Sequence, residues 1–160
     1  MSIKNQELLD RHLIILDFPI EKKLHELVLK REWDDLDRYF LAAEKPEGEL
    51  FQFLSPYLDF KKIEHIIAIR ASSPGYQDED GIWHDDGSRI LGFSLSLTLY
   101  PEDVKGGHLR FKPKGSESFI NIPTQSMGKI ILFKTGIYGF EHMVSAVEAG
   151  ERVVIAGWCS

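Results

Sequence analysis

The amino-acid sequence predicts a mainly β protein with helices near its N-terminus and a sandwich or jelly-roll core. Two observations predict this fold class. Apolar residues recur at helical spacing within residues 1–60, whereas the segments from Ile63 onward are short, β-branched and separated by glycine or proline. Many short strands joined by such turns are typical of sandwiches and jelly rolls rather than of parallel α/β sheets.

The N-terminal region predicts one strand followed by helices. The apolar run from His12 to Phe18 is consistent with a strand, and Pro19 suits the first turn of a helix. Seven residues then recur at helical spacing, in one helix or in two consecutive ones. They are Ile20, Leu24, Leu27, Val28, Leu36, Tyr39 and Phe40. Pro46 and Gly48 end this pattern, and residues 50–58 predict a further short helix.

The remaining residues predict seven strands. Between Ser88 and Tyr100, leucine or phenylalanine alternates with Ser94, Ser96 and Thr98, which is the period-2 pattern of a strand. The predicted strands cover residues 63–71, 88–100, 109–112, 119–122, 129–134, 142–147 and 152–158. We therefore expect one domain over residues 1–160, with a helical support region at 1–60 and a β core at 61–160.

The composition excludes several classes of function. The formal net charge is −6, from 19 Lys+Arg against 25 Asp+Glu. This balance argues against tight binding of a phosphate backbone, so a nucleic-acid partner is not expected. No apolar run approaches the roughly 20 residues that cross a bilayer, so no membrane association is expected. A single cysteine, Cys159, cannot form an internal disulfide, and we expect a cytoplasmic protein.

A candidate metal site begins in the sequence W-H-D-D-G-S-R. Of the six histidines, only His84 is followed two residues later by a carboxylate, Asp86. Residues i and i+2 of an extended segment point to the same side, so both side chains can face one ion. His142, on a later predicted strand, is the candidate third ligand. Two histidines and one carboxylate form the facial triad of non-haem Fe(II) oxygenases. The alternative is a solvated loop, because residues 85–88 are turn formers.

The chain resembles the Fe(II)/2-oxoglutarate-dependent dioxygenase superfamily, in particular its prolyl-hydroxylase-like branch. The resemblance covers roughly residues 74–158, and its motifs occur in the order typical of the family. They are H-D-D at 84–86, L-T-L-Y at 97–100, G-G-H-L at 106–109, G-F-E-H-M-V at 139–144 and A-G-E-R-V-V-I-A-G-W at 149–158. The resemblance implies a double-stranded β-helix, Fe(II) held by His84, Asp86 and His142, the co-substrates 2-oxoglutarate and O2, and stimulation by ascorbate.

The resemblance also implies that Arg152, ten residues beyond His142, holds the far carboxylate of 2-oxoglutarate. Arginine suits this role because its planar fork binds a carboxylate through two hydrogen bonds and keeps its charge. We expect a hairpin with its turn near Ala149, which would place residue 142 opposite residue 156. Arg152 would then lie about 13 Å along the same sheet from His142. The alternative is an exposed arginine on a surface hairpin.

Five further residues are expected to contact or wall the co-substrate pocket. By the resemblance, a tyrosine in this stretch hydrogen-bonds the co-substrate carboxylate, and Tyr100 is the candidate. The other four are Thr98, Leu109, Val144 and Trp158. We expect the side chain of Asp85 to face away from the metal. Arg89 and Tyr76, which flank the predicted site, are candidates for contact with the substrate or co-substrate. His108 could approach the substrate, but an exposed histidine on a strand is the favoured interpretation.

The resemblance predicts hydroxylation of an unactivated C–H bond, with release of succinate and CO2. A peptidyl, prolyl-like side chain is favoured, with a free amino acid or another small metabolite as the alternative. An oxidised nucleobase is disfavoured by the acidic charge. Two other classes stay open: a jelly-roll metalloenzyme without 2-oxoglutarate, which would not need Arg152, and a non-catalytic module that binds a small ligand. Substrate contacts are expected from residues 72–83, 101–106 and 135–140.

Overall fold

A computed structural model describes residues 2–160. It contains four short α-helices, twelve strands and two single turns of 3-10 helix at Pro101–Asp103 and Gly136–Tyr138. The helices are α1 (Gln6–Arg11), α2 (Lys22–Leu29), α3 (Trp33–Ala43) and α4 (Glu49–Leu54). The strands are β1 (Ser2–Ile3), β2 (Leu13–Asp17), β3 (Leu58–Asp59), β4 (Ile63–Ala71), β5 (Leu91–Ser96), β6 (Lys105–Gly106), β7 (Leu109–Lys112), β8 (Ile120–Ile122), β9 (Lys129–Lys134), β10 (Glu141–Val144), β11 (Val147–Ala149) and β12 (Glu151–Cys159).

Two antiparallel sheets form the core of the molecule. The major sheet has the strand order β2-β9-β5-β12-β4, and the minor sheet has the order β10-β7-β8. Leu109 and Phe111 of the minor sheet pack against Ile131 and Phe133 of the major sheet, so the two sheets face each other. This arrangement confirms the predicted class, a mainly β protein with a double-stranded β-helix core.

The N-terminal helices cover the other face of the major sheet. In α2, the apolar stripe predicted from the sequence is buried at Leu24, Leu27 and Val28. It belongs to one core with residues of α3, α4 and the major sheet. Fully buried members of this core include Leu36, Phe40, Leu50, Leu54, Leu95 and Ile155. The helices therefore support the sheet from behind and leave its opposite face for the site.

Several predicted boundaries differ from the structure. β2 pairs with β9 in the major sheet, so the β core draws one strand from the region that we expected to be helical support. The helix predicted over residues 50–58 ends at Leu54, and Leu58 lies in β3. The strand predicted over 142–147 is two strands, β10 and β11, in different sheets. These differences share one cause, since pairing with distant strands decides where each strand ends.

No helix in the described part of the chain is both long and apolar enough to cross a bilayer.

Cys159 is expected to be unreactive in the folded protein. The residue is fully buried, and burial raises the pKa of its thiol to about 12. Alkylation requires the thiolate, which is therefore scarce at pH 8. We expect iodoacetamide to leave the native protein unmodified by mass spectrometry, while urea-unfolded protein reacts completely. Equal alkylation rates in the native and unfolded states would contradict the buried position.

Candidate active site

A short backbone bridge brings His84 and His142 together. The N–H of His84 donates to the carbonyl of His142 at 3.1 Å, and the N–H of His142 donates to the carbonyl of His84 at 2.9 Å. Their imidazole rings consequently lie side by side, with centroids 4.3 Å apart. Asp86 follows two residues after His84, as the i, i+2 argument requires.

The three side chains form a compact set of ligand atoms. The Nε2 atom of His84 lies 3.7 Å from Oδ1 of Asp86, and Nε2 of His142 lies 3.6 Å from Oδ2. One ligand atom from each residue lies within 4.8 Å of the others. These separations place the three ligand atoms around one position that a single metal ion could occupy. The donor set of two imidazoles and one carboxylate suits Fe(II).

The imidazole of His84 is prepared to bind a metal through Nε2. The Nδ1 atom of His84 lies 2.7 Å from the carbonyl of Ile82. A carbonyl can only accept, so Nδ1 carries the proton and Nε2 keeps its lone pair. His142 packs against Phe133, with ring centroids 4.9 Å apart. Burial lowers the pKa of His142 to about 4, so this imidazole is neutral at pH 7.

Arg152 lies in the opposite wall of the same cavity. His142 pairs with Phe111 in the minor sheet, whereas Arg152 pairs with Arg70 in the major sheet. The predicted hairpin, with residue 142 opposite 156, is therefore wrong: Ala156 pairs with Ser94 and with Ile66. The candidate metal ligands and the arginine face each other across the space between two sheets.

A cavity of about 210 Å³ connects His84 and His142 with Arg152. Its walls are mostly apolar and come from both sheets. They include Ile66, Ala68, Phe93, Leu109, Phe133, Val144, Val154, Ala156 and Trp158, with Ser94 as a small polar member. A mostly apolar pocket with a few convergent polar groups is the usual form of a small-molecule site.

The guanidinium of Arg152 is buried without a counterion of its own. The residue is 4% exposed, and no carboxylate in residues 2–160 lies within ion-pair distance of it. Burial lowers its pKa to about 10, with a further contribution from the nearby Arg70, so it still carries its charge at pH 7. A buried cation without a paired anion is costly. The cavity therefore fits a ligand that brings a carboxylate to Arg152.

Arg70 is a second cation at this cavity, but its guanidinium already has an ion-pair partner and hydrogen-bond acceptors. Its guanidinium lies 3.0 Å from Oδ2 of Asp78 and donates to the carbonyls of Val144, at 3.1 Å, and Glu79. Asp78 in turn accepts from the N–H of Val147 at 2.8 Å. These bonds tie the segment before His84 to β10, which carries His142, and to β11. The segment predicted to contact substrate is thus anchored beside the metal set.

The remaining predicted pocket residues divide into two groups. Leu109, Val144 and Trp158 line the cavity. Thr98 is fully buried elsewhere, where its hydroxyl bonds the N–H and the carbonyl of Val153 at 3.0 and 3.1 Å. Tyr100 is 59% exposed and borders a separate surface depression. The positions of Thr98 and Tyr100 do not support the co-substrate contacts expected from the sequence.

The flanking polar residues have partners of their own. Asp85 faces away from the metal set and pairs with Lys114 at 2.7 Å. His108 accepts from the Asn121 amide at 2.6 Å. Arg89 lies 4.9 Å above the centre of the Trp158 ring, which borders the cavity. Tyr76 is 63% exposed in a loop outside the cavity.

Two polar residues have contacts at the site that the sequence did not predict, although Thr135 lies within the expected substrate segment 135–140. Arg70 lies on the same face of β4 as Ile66 and Ala68, and this alternation is the signal that could have found it. Thr135 donates a hydrogen bond to Asp86 at 2.7 Å. It follows β9 and is 49 residues from Asp86, so no local pattern connects the two.

Comparison with known proteins agrees with this geometry. A family model described as the 2OG-Fe(II) oxygenase superfamily matches residues 74–160, which is more than half of the chain. The match includes His84, Asp86, His142 and Arg152. Among curated proteins, no sequence matches this chain significantly.

Solved structures of prolyl hydroxylases share the fold at low identity. A prolyl-4-hydroxylase from Pseudomonas putida is 18% identical, with a TM-score of 0.62 over 96% of this chain and 87% of that one. A prolyl hydroxylase from Trichoplax adhaerens, in complex with a hypoxia inducible factor peptide fragment, is 15% identical, with a TM-score of 0.59 over 96% and 85%. A viral collagen prolyl hydroxylase from Paramecium Bursaria Chlorella virus-1, in a 2OG complex, is 14% identical, with a TM-score of 0.57 over 92% and 94%.

Proposed function

This chain belongs to the 2OG-Fe(II) oxygenase superfamily, and from this premise we propose that it hydroxylates an unactivated C–H bond of a peptidyl, prolyl-like side chain. It is a 2-oxoglutarate-dependent dioxygenase that uses Fe(II), 2-oxoglutarate and O2. One observation carries the proposal: His84, His142 and Arg152, a buried cation without an ion-pair partner among the residues that the structure describes, line the same cavity. A metal enzyme without 2-oxoglutarate would have no use for a buried arginine there.

The proposed reaction balances with two co-substrates. The substrate C–H bond becomes C–OH, and 2-oxoglutarate and O2 become succinate and CO2. When bound, Fe(II) and 2-oxoglutarate supply the oxidising chemistry, in which one oxygen atom enters the substrate and the other enters succinate.

The side chains of this protein position the reactants. His84, Asp86 and His142 would hold the ion on one side and leave the opposite side open to ligands. Their two imidazoles and one carboxylate would leave a divalent ion with a net positive charge, which would favour binding of the keto acid end of the co-substrate. Arg152 would hold the far carboxylate through its planar fork. The apolar walls exclude water from the space between these two groups.

The residues at the mouth of the cavity favour a substrate that inserts one apolar group into the cavity. The side chain of His84 is 51% exposed, and Ile66 at the rim is also 51% exposed. Trp158 borders the same opening. A prolyl ring is small and apolar enough for such a rim, while the rest of a peptide stays outside. The Trichoplax adhaerens enzyme of similar fold was solved with a peptide fragment, which favours the same substrate class here.

The test is succinate formation from 2-oxoglutarate with Fe(II), ascorbate and air, in the presence of short peptides that each contain one proline. We expect at least one peptide to raise succinate formation several-fold above the peptide-free rate and to gain one oxygen atom by mass spectrometry. Free proline, at the same concentration, serves as the matched small-molecule substrate. Hydroxylation of free proline without stimulation by any peptide would contradict a peptidyl substrate.

A further inference from the structure

We propose that Thr135 is a positioning residue for the metal site, because its hydroxyl fixes the rotation of the Asp86 carboxylate. This inference rests on the proposed function, in which Asp86 is a ligand to iron. It concerns a residue that binds neither the ion nor a co-substrate and acts only through Asp86.

Two hydrogen bonds join Thr135 to Asp86. The hydroxyl of Thr135 lies 2.7 Å from Oδ2 of Asp86, and the backbone N–H of Asp86 lies 3.2 Å from the same hydroxyl. Thr135 is 3% exposed, and the side chain of Asp86 is 4% exposed. Within residues 2–160, this hydroxyl is the hydrogen-bond donor that the structure assigns to the carboxylate. The contact is therefore shielded from water.

The direction of the hydrogen bond between Thr135 and Asp86 follows from which of the groups involved can donate. A backbone N–H can only donate, so it occupies a lone pair of the hydroxyl oxygen. An ionised carboxylate can only accept, so the single proton of the hydroxyl points to Oδ2. This pair of bonds holds both the backbone and the side chain of Asp86. The carboxylate is fixed about its last torsion, which is otherwise broad for aspartate.

The fold brings Thr135 to this place by a close approach of two chain segments. The N–H of Thr135 donates to the carbonyl of Ile90 at 2.9 Å, just beyond the turn that carries Asp86. The next residue, Gly136, has φ +77°, and a methyl group there would overlap the carbonyl oxygens of Gly87 and Arg89. Glycine permits both the backbone conformation and the contact. Residues 135–136 therefore pack directly against the turn that carries Asp86.

Residues that hydrogen-bond to a metal ligand influence the affinity of the site for its metal. A free carboxylate must lose torsional freedom when it binds an ion, whereas a carboxylate held in place has already lost it. Loss of such a partner typically weakens metal binding by about 10- to 100-fold. We expect loss of the Thr135 hydroxyl to weaken metal binding by this factor. Loss of the hydroxyl of a buried threonine remote from the ligands should leave metal binding unchanged.

The experiment is calorimetric titration of the protein with Mn(II) under nitrogen and without 2-oxoglutarate. Thr135→Val removes the hydroxyl at nearly constant volume, Thr135→Ala removes it without a possible clash, and Thr135→Ser keeps it. Thr98→Val is the matched control, because Thr98 is also fully buried and bonded to backbone but lies away from the metal ligands. Circular dichroism melting of each variant reports whether it is folded.

We expect Thr135→Val and Thr135→Ala to bind Mn(II) about 10- to 100-fold more weakly than wild type. Thr135→Ser is expected to restore wild-type affinity, and Thr98→Val to lower the melting temperature without changing affinity. Wild-type affinity in folded Thr135→Val or Thr135→Ala would overturn the inference and leave the proposed function intact. Failure of the wild-type protein to bind Mn(II) would overturn the proposed function, and the inference with it.

Discussion

Replacing Arg152 by methionine is expected to stabilise the ligand-free protein while severely weakening its affinity for 2-oxoglutarate. The two effects have one origin, which is a buried cation whose counterion arrives only with the ligand. Replacement of buried charged groups by apolar ones of similar volume often stabilises a fold by about 1–4 kcal/mol. Methionine suits the site because it is flexible and apolar. For a domain of this size, each kcal/mol raises the melting temperature by roughly 2–4 °C.

The direction of the stability change in Arg152→Met follows from the pKa of Arg152. Folding lowers the pKa of this base from its ordinary value to about 10, so the charged form is less stable in the fold than in the unfolded chain. The resulting penalty on stability is fully present below pH 10, and it is relieved only as the pH rises through that value. At pH 7 the wild-type protein therefore bears the whole penalty, and Arg152→Met removes it.

The loss of 2-oxoglutarate affinity is expected to be about 2–5 kcal/mol, the usual effect of truncating one partner of a buried charge pair. This corresponds to roughly 30-fold to several-thousand-fold weaker binding. Calorimetry with Mn(II)-loaded protein measures the affinity, and thermal melting measures the stability. Arg38→Met on α3, where the side chain is 70% exposed, is the control for both. A destabilised Arg152→Met protein with unchanged affinity would show that Arg152 has a structural partner instead.

Replacing His84 by alanine is expected to abolish metal binding and turnover with little loss of stability. The side chain is 51% exposed, so its truncation leaves no internal cavity. The bridge to His142 is made by backbone atoms and does not depend on the imidazole. Loss of a direct ligand should weaken Mn(II) binding by more than the roughly 100-fold upper range seen for outer partners of metal ligands. The one side-chain hydrogen bond that is lost, to Ile82, is worth about 1 kcal/mol.

The matched control is His25→Ala, because His25 is an exposed histidine on α2 and away from the cavity. Succinate formation and Mn(II) titration should both be lost in His84→Ala and unchanged in His25→Ala. The melting temperatures of the two variants should be similar. Retained metal affinity in His84→Ala would rule out the three-residue site and, with it, the proposed chemistry.

The proximity of His84 and Asp86 was the most predictable part of the candidate metal site, because its signal is local. His84 and Asp86 are two residues apart in an extended segment, and that spacing alone places them on one side. His142 and Arg152 were predicted from their positions in a longer series of motifs. Their spacing along the chain did not reveal that β10 and β12 belong to different sheets. Residues 145–150 carry the chain from one wall to the other through β11, which pairs with β6.

Tyr100 shows where counting along a strand stops being reliable. The alternation of leucine with Ser94, Ser96, Thr98 and Tyr100 continues in the sequence, but β5 ends at Ser96. Beyond it, Thr98 binds the backbone of Val153, and the chain enters a 3-10 turn at Pro101–Asp103. A period of two assigns faces only while the backbone stays extended. Ser94, which lies within β5, does line the cavity.

The contacts of Thr135 and Arg70 were beyond sequence reasoning for a different reason, although alternation along β4 could have placed Arg70 on the cavity face. Each acts at the site through a contact with a distant part of the chain, Thr135 with Asp86 and Arg70 with the carbonyl of Val144. A threonine at the end of a strand and an arginine on an edge strand are ordinary in any β protein. Only the packing of the two sheets gives these side chains their neighbours.

Assembly of the major sheet depends on segments that are far apart along the chain. β4 pairs with β12, which joins residues 63–71 to residues 151–159, and β2 pairs with β9, which joins residues 13–17 to residues 129–134. Each pairing closes a long loop, and the entropy of that loop is lost before the contacts form. We therefore expect slower folding than for a helical bundle of equal length. Until residue 159 has emerged from the ribosome, apolar strands stay unpaired and aggregation competes with folding.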